Sequence, residues 1–238
     1  MVLADDNFAT IAHAVREGRI VFDNLRKTLI FVLPTNIGQA LIIFIAVLAG
    51  SEMPVSAAQV LWINMITSVT LGVALAFEPQ EGNVMARRPR NPDKSLWEPL
   101  LLWRMSFIGL LLAGSLFGLF QWEVALANGE VGVARAAVVT AFALAQASYL
   151  VACRFLRKPS LSHRLFTKRN NAVWISIAVL VVLQVLFVYA PFMRTLFSTT
   201  GPTVMDGLGW LRAICFALIV LLIVEAEKVL RRRKHVLQ

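Results

Sequence analysis

Long apolar runs separated by short charged clusters make up most of the chain. Six stretches, at about 29–50, 57–77, 100–121, 134–153, 172–192 and 208–227, carry few charges or none. A bilayer core of roughly 30 Å needs about 20 helical residues at about 1.5 Å each, so every stretch is long enough to cross. None alternates with the period of two that a membrane barrel strand requires. The six are predicted to be helices, because hydrocarbon offers the backbone no other partners. Asp5 to Lys27 has a different pattern, with Ile11, Val15, Val21, Phe22 and Leu25 set among charges. That spacing predicts an amphipathic helix, and with no strong break after it the helix should run straight into the first span. Pro79, Gly82, Pro89 and Pro92 mark Glu78 to Asp93 as an ordered turn or loop, and Gly201-Pro202 breaks the last connection. There is no internal repeat or low-complexity tract, and no apolar signal-peptide region precedes residue 29.

Composition agrees with the pattern. Of 238 residues, 58% are hydrophobic and only 16% charged, and the mean hydropathy is +0.71. Soluble domains run nearer a quarter charged, so the apolar surplus must face something other than water. The net charge of +9 could suggest nucleic acid, but the basic residues lie between apolar runs and form no basic face. No nucleic-acid partner is expected; the lipid bilayer is. The charge instead sets direction. All but four of the 23 Lys and Arg lie before the first span, in the loops after the second and fourth, or in the tail. The exceptions are Arg104, Arg135, Arg194 and Arg212. Basic loops stay on the cytoplasmic side. The expected architecture is an all-α polytopic membrane protein of six helices with both termini cytoplasmic, in a plasma or inner membrane. Residues 1–27 would precede the membrane and 28–238 form the six-helix domain.

Cys153 and Cys215 are expected at different depths, which argues against a disulfide. His13, His163 and His235 are scattered over cytoplasmic segments and make no metal-ligand cluster, so no structural metal is expected. Polar residues inside the spans are more informative. The first span holds Pro34, Thr35, Asn36 and Gln39. Pro34 cannot donate to the carbonyl of Ile30, and a freed carbonyl beside Asn36 and Gln39 would suit a cation. In the second span Asn64, Thr67 and Ser68 share a helical face. If the two faces oppose each other, these amides and hydroxyls converge as neutral oxygen ligands. Interhelical glue is the ordinary use of such residues. Two adjacent polar spans and a proline favour a site; Gln184 reads as glue, and Gln146 is open between the two. No carboxylate falls in the middle of any span. Such a site suits a weakly held monovalent ion, or needs a carboxylate from elsewhere.

Val2-Leu3-Ala4-Asp5-Asp6-Asn7-Phe8, Ile11 and Val15-Arg16-Glu17-Gly18-Arg19 resemble the end of the phosphorylation domain of type II P-type cation-transporting ATPases. Asn24-Leu25-Arg26-Lys27 is similar to the stalk entering their fifth membrane helix, and Leu61-Trp62-Ile63-Asn64-Met65-Ile66-Thr67 with Ala76-Phe77-Glu78-Pro79 to the sixth. The later spans match helices seven to ten in number, order and loop charge, down to the basic end Glu227-Lys228-Val229-Leu230-Arg231-Arg232. The resemblance implies that Asn36 and Gln39 on helix five, Asn64, Thr67 and Ser68 on helix six, and Gln146 on helix eight surround a transported cation. Reticulum-type calcium pumps have Glu in place of Gln39 and Asp in place of Ser68. Both positions are neutral here, which argues against a two-calcium site of that kind. A one-site calcium pump or a monovalent-cation transporter fits, with charge supplied by helix four.

The phosphorylated Asp-Lys-Thr-Gly-Thr, the Thr-Gly-Glu-Ser loop and the Gly-Asp-Gly-x-Asn-Asp hinge of that family are not in this sequence, nor are helices one to four. The expected function is therefore the membrane half of an ATP-driven cation pump, with no ATP hydrolysis by this chain alone and no catalytic residue in it. ATP and Mg2+ would enter only with the missing N-terminal part, in the same chain or a separate one. Fragment, truncated reading frame and split half all fit. The alternative is a free-standing six-helix scaffold, regulator or passive ion pathway, or an inactive gene remnant. A truncated pump would expose Phe8, Ile11, Val15 and Phe22, which a self-sufficient protein would bury or lack.

Overall fold

The computed structural model describes residues 8–79, 84–86, 99–154, 170–199 and 204–236, with backbone alone for Phe8, Ser68, Leu100 and 232–236. Residues 2–7, most of the loop from Gln80 to Glu98 with Gly82, Pro89 and Pro92, the basic residues of 155–169 with His163, and Gly201-Pro202 lie outside the described residues. The described chain is helical without a strand.

α1 (Phe8–Leu48) joins the amphipathic segment and the first span into one helix. Its 41 residues extend about 60 Å, twice the hydrocarbon thickness, so roughly half of it stands outside. It ends at Gly50, whose positive φ of 59° a side chain would strain. The N–H groups of Gly50 and Ser51 there close onto Val47 and Ala46 carbonyls. The second span is three pieces: α2 (Ala57–Ile66), a π-helical turn (Thr67–Gly72) and α3 (Val73–Ala76). Ser56 and Gln59 form a capping box at its start. A 3-10 turn, Val84–Ala86, follows. The remaining spans are α4 (Pro99–Leu126), α5 (Val131–Cys153), α6 (Asn171–Tyr189) and α8 (Gly207–Val236). Short α7 (Pro191–Leu196) starts at a proline inside the stretch expected to be continuous to residue 192. Proline suits the first helical turn and ends the helix before it, which explains the break.

All six expected spans are present as helices long and apolar enough to cross a membrane. α5 is the centre: most of its residues are buried, whereas most of those on α6 and α8 are not. Its sequence explains this. Ala134, Ala137, Ala141, Ala145 and Ala152 are buried, and small side chains let neighbouring helices come close where no hydrophobic force drives them together. α1 packs most extensively on α4, where Gly38 and Gly109 meet. A Cβ on Gly109 would lie 2.7 Å from Ile37 Cγ2, and one on Gly38 would lie 3.3 Å from the Gly109 carbonyl. α6 and α8 instead turn large apolar side chains outward, among them Ile175, Val182, Leu218 and Leu222, as a lipid-facing surface requires.

The two ends of the bundle are built differently. At the end carrying the basic segments, Asn24 Nδ2 donates to the carbonyls of Ala76 (3.0 Å) and Glu78 (2.9 Å). The Glu78 carboxylate accepts from Arg154 Nε (3.0 Å) and Asn170 Nδ2 (2.7 Å), and Asn170 also caps α6 through Ala172 N. Lys228 Nζ reaches Glu225 and the Ala152 carbonyl. At the opposite end Arg212 grips Glu123 through two bonds, Arg135 Nε donates to the Met53 carbonyl, and Gln59 Nε2 donates to the Phe197 carbonyl. Trp62, Phe187 and Phe197 fill the space beside it, their ring centroids 5.2–5.7 Å apart.

Candidate cation site

α1 and the second span lie side by side, and one of the expected ligands joins them. Gln39 is buried, and its Nε2 donates to the Val60 carbonyl on α2 at 3.3 Å. Asn36, three residues earlier, points outward and is exposed within the apolar part of α1. Asn64 is half-buried on α2. Thr67 is buried, and its hydroxyl turns back to donate to the Ile63 carbonyl at 2.7 Å. The side chain of Ser68 lies outside the described residues, while its backbone falls in the π turn. Gln146 is buried on α5, which packs against that turn. Thus Gln39 and the second span meet directly, and Asn36 sits on the outer face of the same helix.

The π turn is the irregular element of the site. Such turns are rare and frequently lie at functional positions, because the wider coil disturbs the ladder of backbone hydrogen bonds. Here it holds Thr67 and Ser68, two of the expected ligands. Thr67 and Thr70 both bond back to carbonyls four residues earlier, Ile63 and Ile66, a habit that loosens a helix. No local signal in Thr67-Ser68-Val69-Thr70 distinguishes a π turn from an α turn.

The carbonyl of Ile30, freed by Pro34, needs correction as an ion ligand. Tyr149 on α5 donates its hydroxyl to that oxygen at 2.8 Å, and both groups are buried. A buried carbonyl costs free energy until something donates to it, and the phenol is the donor here. Proline in the sequence announced the need; the partner 119 residues away could not be read from it. Gln184 does act between helices, donating to Thr140 Oγ1 at 2.9 Å. Cys153 is buried and Cys215 exposed, both as free thiols. Among the described residues no three His, Cys, Asp or Glu side chains gather as a metal site.

Sequence reasoning missed the buried junction of Asn24, Glu78, Arg154 and Asn170. Nothing local in the sequence links the four, which are up to 146 residues apart. Together they tie α1, α3, α5 and α6 at one level, adjacent to the helices that carry the amides.

Comparison with known proteins bears on what these helices belong to. Residues 52–230 match the family model described as cation transporting ATPase, C-terminus. The chain is 38% identical over 233 residues to a probable cation-transporting ATPase F of Mycobacterium tuberculosis, covering 98% of this chain and 25% of that protein. It is 38% identical over 219 residues to cation-transporting ATPase pma1 of Synechocystis, covering 90% of this chain and 24% of the relative. A calcium-transporting ATPase of Bacillus subtilis is 30% identical over 238 residues, with 98% of this chain and 26% of that protein covered. The chain thus spans about a quarter of the length of the relatives it matches. The matched region takes in nearly all of the second to sixth spans, and with three quarters of its length matched the chain belongs to the cation-transporting ATPase C-terminal family.

Proposed function

We propose that this chain forms the membrane half of an ATP-driven cation pump and lines part of its ion path. Asn36, Gln39, Asn64, Thr67, Ser68 and Gln146 would contribute neutral oxygens to a cation stripped of part of its water. The observation that carries the reading is Asn36, an amide on the outside of the bundle in an apolar stretch of α1. An amide facing hydrocarbon is costly, so that face calls for a further polar neighbour. A fourth helix with a carboxylate, from the N-terminal part found in longer relatives, would supply both cover and charge. With no carboxylate among the six residues, one divalent ion or a monovalent ion suits the site better than two calcium ions.

ATP and Mg2+ would act in that N-terminal part, and α1 would carry the result into the membrane. Because α1 is one helix, a displacement of residues 8–27 reaches Asn36 and Gln39 without an intervening loop. Gln39 passes it to α2 through the Val60 carbonyl, next to the π turn. Alternating access would follow from that shared movement. The basic end would face the cytoplasm, by the bias of Lys and Arg to that side of a plasma or inner membrane. Of the four residues expected to be exposed, Ile11 and Val15 are exposed on the part of α1 outside the membrane, Phe22 is half-buried there and the side chain of Phe8 lies outside the described residues. The exposure of Ile11 and Val15 supports a covering domain over a free-standing scaffold or passive pathway.

The test is Asn64→Ala in the native polypeptide that contains this chain. Loss of one ligand to a charged ion is worth about 1.5–3 kcal/mol, so half-maximal activation should need roughly ten to a hundred times more cation. Unchanged cation-stimulated ATPase activity would sink the assignment.

A further inference from the structure

A groove runs between the start of α4 and the end of α8, at the basic end of the bundle. Its volume is about 600 Å³, within the range of about 300–1,000 Å³ usual for ligand sites. The walls are apolar: Phe107 on one side, Ile223, Ala226 and Leu230 on the other. The rim is charged and closely organised. Glu227 accepts from Arg104 Nη2 (3.3 Å), Trp103 Nε1 (3.1 Å) and Arg231 Nε (3.1 Å). The Arg231 guanidinium lies 5.4 Å from the centre of the Trp103 ring, and Trp103 in turn stacks on Phe107 at 5.7 Å.

Two guanidinium groups thus share one carboxylate, Arg104 buried behind it and Arg231 partly exposed at the rim, which leaves a surplus positive charge at this end of the groove. A tryptophan with its N–H bonded at the mouth is the arrangement favoured where membrane meets water. The ligand that fits apolar walls under a net positive, aromatic rim is an amphiphile with an acidic head.

We propose that this groove binds one anionic glycerophospholipid from the leaflet at the basic end. An acyl chain would lie along Phe107, Ile223 and Leu230, and the phosphate would meet the outward donors of Arg231. The proposal needs the helices to span a bilayer but not the ion assignment, and its test reads no transport. A surplus basic charge at a membrane surface favours an anionic over a zwitterionic head by about fivefold.

The experiment is native mass spectrometry of the detergent-solubilised native polypeptide with phosphatidylglycerol or phosphatidylcholine of matched chains. One phosphatidylglycerol should be retained at concentrations where phosphatidylcholine is lost. Ala226→Trp fills the groove and should abolish that adduct. Arg231→Gln should keep a lipid but reduce the preference for phosphatidylglycerol by about fivefold. Equal retention of both lipids by the wild type, or an unchanged adduct in both variants, overturns the proposal. Should Ala226→Trp fail to fold, the head-group preference of Arg231→Gln still decides it.

Discussion

Two buried side chains show how much a single partner matters in this bundle. Tyr149 satisfies the Ile30 carbonyl that Pro34 leaves open. Tyr149→Phe should therefore cost about 1–3 kcal/mol of stability, the penalty of a buried acceptor without a donor. Adding Pro34→Ala returns an N–H to that carbonyl, so Tyr149→Phe should cost clearly less in that background; thermal unfolding in detergent would measure both. Glu78 is the second case, with Arg154 and Asn170 donating to its carboxylate in a fully buried site. Removing either charge of such a pair leaves the other uncompensated, at about 3–5 kcal/mol. Glu78→Ala and Arg154→Ala should each be severe, and the double variant should lose well under their sum. An additive double-mutant cycle would mean that the pair does not hold the junction. Neither case was legible beforehand. Pro34 marked a vacancy in the ladder, but nothing local says which of many distant hydroxyls fills it, and Glu78 and Arg154 are 76 residues apart.

At the scale of elements, helix contacts and one irregular turn divide tolerant from intolerant positions. Gly109 lies against Ile37 and Gly38, while Gly114 and Gly118 on the same helix have nothing within 4 Å of the place a methyl group would take. Gly109→Val should push α4 off α1 and cost about 1–3 kcal/mol, as overpacking does. Gly114→Ala and Gly118→Ala should stay within about 0.5 kcal/mol or gain slightly from helix propensity. Denaturant unfolding of the three variants would compare them. Within the second span, the π turn accommodates one residue more than an α turn. Deleting Val69 should convert it to regular helix while leaving the Glu78 junction assembled. Stability would be kept and cation-stimulated turnover lost, whereas a deletion in α5 should destroy both. The spans themselves were legible because length and hydropathy are local quantities. The split at Ala190 followed from Pro191, a signal present but outweighed by the apolar run around it. The π turn was not legible, since its residues suit either coil and their neighbours decide.

For the whole molecule, the two ends differ in charge, and that difference makes orientation testable. A cysteine at Asn128, in the turn between α4 and α5, should react with an impermeant maleimide in intact cells. One at Met85, exposed in the 3-10 turn at the basic end, should react only after permeabilisation. The reverse pattern would invert the proposed topology. Of the candidate site, the residue types and their two helices were legible from polarity and spacing. The direction each side chain takes was not: a spacing of three predicts that they neighbour each other on α1, yet Gln39 turns inward to Val60 and Asn36 is exposed outward. Packing against α2 decides which of the two is covered.

The crossing of Gly38 and Gly109 gives α1 a fulcrum. From Gly38 the helix reaches about 45 Å toward Phe8 and about 15 Å toward Leu48, at about 1.5 Å per residue. A rigid rod rocking on that point has a long arm and a short arm in a ratio of about three to one. A sweep of the outer tip becomes a third as large at the far end, with force multiplied in the same proportion. Asn36 and Gln39 stand almost on the pivot itself. Rocking would swivel their amides while scarcely displacing them, so an ion held there would lose its ligands by a change of aim and keep its place.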